Sequence, residues 1–258
     1  MFFRSSPNRN NWHGYRQLAL AAAAFGAAHF VAGRASATTI TVLNPDFSSP
    51  VTSSYVAHGT VAPGSDTANT DWGIQGYGGV EAEGNLYSKD PTGQVPQLVG
   101  SQVAFADAVS TNTSLSSQPY NSDFYQNVGA LQANTTYSLT VYTGFNAGYK
   151  TGEFGVLELV NGTSDTGTVL NSVAYTPSTA WPYAFEDISL TYTSGSTASG
   201  DLTVVLGVAG PASGDQIGFN NVRLTASPVP EPSAMGLLAV GGLSLLLVCR
   251  KTASRRSV

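Results

Sequence analysis

Between residues 38 and 225 apolar and polar positions alternate in short runs and do not recur at a helical period, the pattern of half-buried β-strands. Ile40 and Val42 alternate with Thr39 and Thr41, Tyr137, Leu139 and Val141 with Ser138, Thr140 and Tyr142, and Ile188, Leu190 and Tyr192 with Ser189, Thr191 and Thr193. Leu202, Val204, Leu206 and Val208 give the cleanest run, and Phe154–Val160, more continuously apolar, predicts a central strand. Gln102–Ala106, Thr168–Ala174 and Ile217–Thr225 complete the set. The last run changes phase, because Ile217 and Phe219 share one face while Val222 and Leu224 are offset by one residue. A two-for-one bulge at Asn220-Asn221 would return both pairs to the core. Turn clusters at Asn161-Gly162-Thr163, Thr193-Ser194-Gly195-Ser196 and Ala212-Ser213-Gly214-Asp215 separate the runs. About eight short strands with such turns predict an all-β fold, a β-sandwich.

Both ends depart from this pattern. Arg4, Arg9 and Arg16 precede the apolar run Leu18–Ala32, and Ala35-Ser36-Ala37 follows as a small-x-small site, so residues 1–37 read as a signal peptide, a helical segment cut by signal peptidase after Ala37. The alternative, an N-terminal membrane anchor, asks for a longer span, and Arg34 closes this one. At the other end residues 226–233 form a Pro-rich linker. Ala234–Cys249 (residues 234–249) carries no charge, and a helix there is roughly 24 Å long, a thin transmembrane span of the inner membrane. Residues 250–258, with Arg250, Lys251, Arg255 and Arg256, form a basic tail that the positive-inside rule keeps in the cytoplasm.

Charge changes the picture once these ends are set aside. Only 10% of the 258 residues are charged, against about a quarter in an ordinary domain. Within residues 38–225 the bases are Lys89, Lys150 and Arg223, while every acid except Glu231 lies there, so the body carries a net charge near −12. An acidic body without a basic stripe excludes nucleic acid as a partner. The acids are scattered, which suits solubility, and cation binding is the alternative. The single Cys249 excludes a disulfide framework, and one body histidine, His58, excludes a histidine-built metal site.

Val229-Pro230-Glu231-Pro232, followed by an apolar span and an Arg-rich end, resembles the PEP-CTERM sorting signal of bacterial envelopes over residues 228–256. The resemblance implies export, transient anchoring in the inner membrane, processing by an exosortase-type enzyme at or near the prolines, and a final place on the cell surface or in the extracellular matrix. The prolines keep this stretch extended. The body resembles, more loosely, the jelly-roll, galactose-binding-like domains common among carbohydrate-binding modules, through Asn44-Pro45-Asp46-Phe47, Leu131-Gln132-Ala133-Asn134-Thr135-Thr136-Tyr137 and Ile217-Gly218-Phe219-Asn220-Asn221-Val222-Arg223-Leu224. Many such domains hold a structural calcium through an acid after the first Phe and an Asp before the closing Val. Ser48 and Asn220 stand at those positions, so no cofactor is expected, with structural calcium the exception to test.

Candidate chemistry is sparse. His58, in a loop-like stretch, lacks the partners of a hydrolytic triad. Glu81 and Glu83, Glu153 and Glu158, and Glu186 and Asp187 are carboxylates of which any two could meet, as glycoside hydrolysis requires, yet solvated strand edges also account for them. Asp66, Asp71, Glu81 and Asp215, read as loop acids, could offer oxygens to calcium. Trp72, Tyr77 and Tyr87 in the Gly-rich stretch Asp71–Asn85, and Trp181 and Tyr183 in the stretch Thr176–Tyr183, either close the end of the sandwich or stack on sugar rings. The expectation is a non-enzymatic, exported surface or matrix protein that touches extracellular polysaccharide. A secreted glycan hydrolase and a purely structural envelope protein are the alternatives.

Overall fold

A computed structural model describes residues 36–49, 51–52, 56–58, 71–82, 99–100, 102–108, 121–146, 154–178, 180–181, 185–210 and 216–229. These residues form strands and connecting turns and no helix. In chain order the strands are β1 (Thr38–Ile40), β2 (Val56–His58), β3 (Gly73–Gln75), β4 (Tyr77–Ala82), β5 (Gln102–Asp107), β6 (Ser122–Ala130) and β7 (Thr135–Asn146). β8 (Phe154–Asn161), β9 (Thr168–Tyr175), β10 (Ala180–Trp181), β11 (Glu186–Thr193), β12 (Asp201–Ala209) and β13 (Gln216–Pro228) follow. They make an eight-stranded sheet, ordered β10-β7-β13-β5-β4-β2 with β1 on β13 and β11 on β7, and a five-stranded sheet, ordered β3-β6-β12-β8-β9. Every pairing is antiparallel except β10 with β7. The compact unit runs from Ala37 to Pro228.

The alternation that predicts the strands also selects the core. Tyr137, Leu139 and Val141 of β7, Leu202, Val204, Leu206 and Val208 of β12, and Leu157 and Leu159 of β8 face one another between the sheets. Each such side chain, once buried, contributes about 1.5–3 kcal/mol. β8 is an interior strand, between β12 and β9. In β13 the register to β7 shifts between Asn220 and Arg223, Asn221 takes a left-handed φ of 47°, and Ile217, Phe219, Val222 and Leu224 all reach the core. The phase change in the sequence is therefore a β-bulge. It falls where β13 exchanges edge partners: Gln216–Phe219 pair with β5, and Leu224–Ala226 pair with β1.

The segment Leu131–Tyr137 turns β6 into β7. Leu131 is buried, Asn134 supplies the positive φ, and the Tyr137 hydroxyl lies 2.6 Å from the Gln132 amide that donates to it. Burial raises the Tyr137 pKa.

Several strands lie where alternation is broken. The alternation does not mark β6 because its core-facing row contains Gln126, whose side chain accepts from the Leu43 amide and donates to the carbonyls of Leu43 and Asp71. β3 and β4 lie in the stretch that composition marks as Gly-rich loop. Glu81 is therefore on a strand and not in a loop, and His58 is in β2, opposite Gly78. Among the described residues no helix is long and apolar enough to cross a membrane, and residues 1–35 and 230–258, including the expected signal helix and the expected span 234–249, lie outside them.

Candidate functional site

The core-facing residues of the larger sheet fix what its other face presents, because side chains alternate across a strand. Val80 of β4, Ala104 and Ala106 of β5, Ile217 and Phe219 of β13 and Val141 of β7 point inward. Gly79, Phe105, Gly218 and Gly144 therefore share the outer face, and the register places them in one row across four strands: Gly79 opposite Phe105, Phe105 opposite Gly218, Gly218 opposite Gly144. The next row holds Tyr77, Asp107 and Gln216. On the other side lie Glu81 opposite Val103, and Asn220 opposite Tyr142. Phe105 is thus an aromatic ring bordered by residues without side chains, with a phenol, a carboxylate and an amide along one rim. Asp107 and Glu81 are 6% and 5% exposed and Phe105 is fully buried, while Tyr77 is 37% exposed. Asp107 lies four positions along β5 from Val103, so Glu81 and Asp107 start roughly 13 Å apart along the strands, at opposite ends of the floor.

Beyond this floor the face is hydroxylic. Thr136 bonds Thr193 and Thr140 bonds Ser189, each at 2.9 Å. Arg223 pairs with Asp187 and lies 4.7 Å over the Tyr142 ring.

The outer face of the smaller sheet carries a second ionisable group of residues. Asp123 and Tyr125 of β6 and Glu158 of β8 flank β12, with Gly207 opposite Asp123 and Val205 opposite both Tyr125 and Glu158. Asp165, from the turn after β8, is buried with them. Neither Asp123 oxygen has a hydrogen-bond partner. Burial, then the charges of Asp165 and Glu158, hold the Asp123 carboxyl well above the usual carboxylate range. Burial raises Asp165 as well, and burial together with Asp165 and Asp123 raises Tyr125.

The sequence-predicted site residues separate in space. Trp72 is completely buried; its ring lies 5.1 Å from that of Phe47 and its indole N–H donates to the carbonyls of Leu43 and Asn44. It closes the sandwich and presents no face to a sugar, so of the two roles the sequence allows at this position the structure shows the first and not stacking. Tyr77 is on the rim of the Phe105 floor. Trp181 lies in β10, opposite Asn146, and Tyr183 is outside the described residues, as are Tyr87, Glu83, Glu153, Asp66 and Asp215. Ala37 is exposed immediately before β1 and Val229 follows β13, while Ala35, Pro230, Glu231, Pro232 and the basic tail Arg250, Lys251, Arg255 and Arg256 lie outside.

Calcium does not fit where the resemblance puts it. The Asn220 side-chain nitrogen stands among the carbonyl oxygens of Asp46, Val99 and Gln102 at 2.9–3.1 Å, and the Ser48 hydroxyl donates to the Asp46 carboxylate. A calcium ion requires oxygens at about 2.3–2.6 Å. Among the described residues no group of three acidic, histidine or cysteine side chains is arranged to hold a metal.

Residues 38–225 match the HpiC1 cyclase family. The chain belongs to that family. Residues 228–251 match the PEP-CTERM protein-sorting motif, which marks the protein as one exported and processed at the membrane by an exosortase. The cyclase-family body is similar to the Stig cyclase Fisc from Fischerella sp. TAU in complex with (3Z)-3-(1-methyl-2-pyrrolidinylidene)-3H-indole. The two share 23% identity over 75% of this chain and 99% of that one, with a TM-score of 0.53. A cyclase from Fischerella sp. TAU in complex with 4-(1H-indol-3-yl)butan-2-one is 21% identical over 74% and 98%, with a TM-score of 0.52. A carbohydrate-binding module, TmCBM61 in complex with β-1,4-galactotriose, is 16% identical over 72% and 97%, with a TM-score of 0.38, a likeness of architecture only. No curated protein matches the chain.

The cyclase family was not legible from the quoted motifs, because their residues are stitches of the sandwich. Phe47, Tyr137 and Val222 serve the core and the corners. The floor itself left one signal: in Gln102–Asp107 the core-facing positions Ala104 and Ala106 are small while Phe105, on the other face, is large.

Proposed function

We propose that this exported, exosortase-sorted protein binds a compact ring-bearing ligand on the outer face of its larger sheet, and that the ligand is a sugar unit of extracellular polysaccharide. The row Gly79–Phe105–Gly218–Gly144 beside Tyr77, Asp107 and Gln216 carries this reading. A pyranose presents a C–H face that packs on an aromatic ring, and its hydroxyls take hydrogen bonds from an amide and a phenol and give them to a carboxylate. Of this group Tyr77 is the exposed member and is the ring that a pyranose face would meet, while Phe105 and its glycine neighbours are buried within the protein. In this reading the protein is a binding module and not an enzyme, resident on the cell surface or in the matrix once its tail has been processed.

A second reading is favoured by family membership. The cyclase family and the indole ligands bound by its solved relatives support an enzyme that closes a ring on a compact aromatic substrate, with Asp107 as the acid at the same face. Calorimetric titration of the purified protein with sugars released from the producing cell's polysaccharide, and with 4-(1H-indol-3-yl)butan-2-one, separates the two. Tyr77→Ala should weaken binding about tenfold, the upper end of an aromatic contact, and Gly218→Val should abolish it. Sugar binding that survives both substitutions refutes the site. Binding of the indole ketone without the sugars transfers the site to the second reading.

A further inference from the structure

β13 changes edge partner between Phe219 and Leu224, and at that seam its backbone has neither β5 nor β1 beside it. One side chain fills the gap. The Asn220 nitrogen donates to the carbonyl of Asp46 at 3.1 Å, of Val99 at 3.0 Å and of Gln102 at 2.9 Å, and its oxygen accepts from the Val99 amide at 2.9 Å. The adjoining Val222 amide donates to the Pro45 carbonyl. Asn220 and Gln102 are fully buried. Three carbonyl oxygens, one from Asp46 and two from the stretch Val99–Gln102, thus converge on a group that has two protons to give.

A convergence of buried carbonyl oxygens is a negative cage, and hard cations are its usual occupants. A carboxamide NH2 answers the same potential with partial positive charge. The Val99 amide fixes the orientation, since a reversed carboxamide would point its oxygen at three carbonyls and its NH2 at an N–H donor. We infer that Asn220 stands in for a structural cation, so that the seam between β1, β5 and β13 closes without metal, and that a carboxylate at this position alone converts the fold to one that requires calcium. The reason is electrostatic: an aspartate oxygen about 3 Å from three carbonyls is repelled unless a cation lies between them or the carboxyl keeps its proton, and a proton satisfies one carbonyl where a cation satisfies all three.

The test compares melting temperatures of the purified full chain, its Asn220→Asp variant and its Asn220→Ala variant, each in EDTA, in millimolar calcium and in millimolar magnesium. Asn220→Asp should melt roughly 5–10 °C below the native chain in EDTA and recover most of that loss in calcium, rising with the logarithm of its concentration as site binding requires. Asn220→Ala should be destabilised and gain no more from calcium than the native chain does. If Asn220→Asp responds to calcium no more than the native chain, the inference fails. If the native chain is stabilised by calcium and Asn220→Ala loses that response, Asn220 is itself a cation ligand and the inference is overturned. Should Asn220→Asp accumulate only when expressed with calcium, dialysis against EDTA must unfold it; a variant that stays folded refutes the requirement.

Discussion

Asp123→Asn should stabilise the protein at neutral pH and flatten its dependence on pH. Asp123 is fully buried on the outer face of the smaller sheet, neither oxygen is hydrogen-bonded, and Asp165 and Glu158 act on it as like charges. Its folded pKa is therefore raised above the unfolded value of about 3.9. Above that value the unfolded chain releases the proton while the folded chain retains it, so the folded state binds more protons and stability falls as pH rises, until the folded carboxyl itself ionises. Within that window the slope is about 1.4 kcal/mol per pH unit for one proton. Asparagine has the same shape, cannot ionise, and directs an NH2 toward the neighbouring carboxylates. Relieving the desolvated carboxyl should give about 1–3 kcal/mol at pH 7 and little at pH 4, where the unfolded chain also holds the proton. Urea titrations from pH 4 to pH 8 on both proteins measure this directly. Equal slopes of stability against pH would refute the argument, as would an Asp123→Asn variant weakened equally at every pH. Asp165, raised by burial, contributes in the same direction, so the variant should retain a shallower fall.

Trp72→Ala should cost about 3–5 kcal/mol, because the ring is fully buried against Phe47 and its N–H serves two carbonyls; chemical denaturation of the two proteins measures it, and a loss below 1 kcal/mol would mean that the ring is not packed as described. Asn221→Gly should leave stability within a few tenths of a kcal/mol, while Asn221→Val should lose about 1–2 kcal/mol, since a β-branched residue resists the left-handed φ of 47°; thermal melts of the pair check the bulge.

What the sequence shows is what a single alternating face requires. β12 is legible because Leu202, Val204, Leu206 and Val208 all enter the core, and the bulge because four apolar residues of β13 must do so across an offset. β6 is hidden because Gln126 occupies a core-facing position to satisfy the backbone around Leu43 and Asp71. β4 is hidden because Tyr77-Gly78-Gly79 has turn composition; yet a Cβ on Gly78 would come within 2.7 Å of the Phe105 carbonyl oxygen, so the glycine serves close packing between strands and not a turn. Trp72 is open between two roles in the sequence, a lid on the sandwich or a platform for a sugar, because composition places it in a loop without saying which way the ring turns; the fold buries it. The Phe105 floor needs the register of four strands, which no local pattern carries.

That register also bears on whether the floor is an accident of packing. A glycine inside a strand costs roughly 0.5–1 kcal/mol relative to alanine, so Gly79, Gly218 and Gly144 together cost about 1.5–3 kcal/mol, a sizeable share of an ordinary domain's stability. A cross-strand aromatic ring can shield glycines beside it, and Phe105 has Gly79 and Gly218 as its neighbours. Gly144 stands two strands away, roughly 9–10 Å from the β5 backbone, beyond what one ring on β5 covers. If shielding by Phe105 were the whole reason for the row, alanine at Gly144 would stabilise the sheet at no loss. Its presence at the end of the same row is what the proposed site, a face kept low across several strands, would require, and Gly144→Ala tests it: a stabilised protein with unchanged ligand binding would show that the row has no such role.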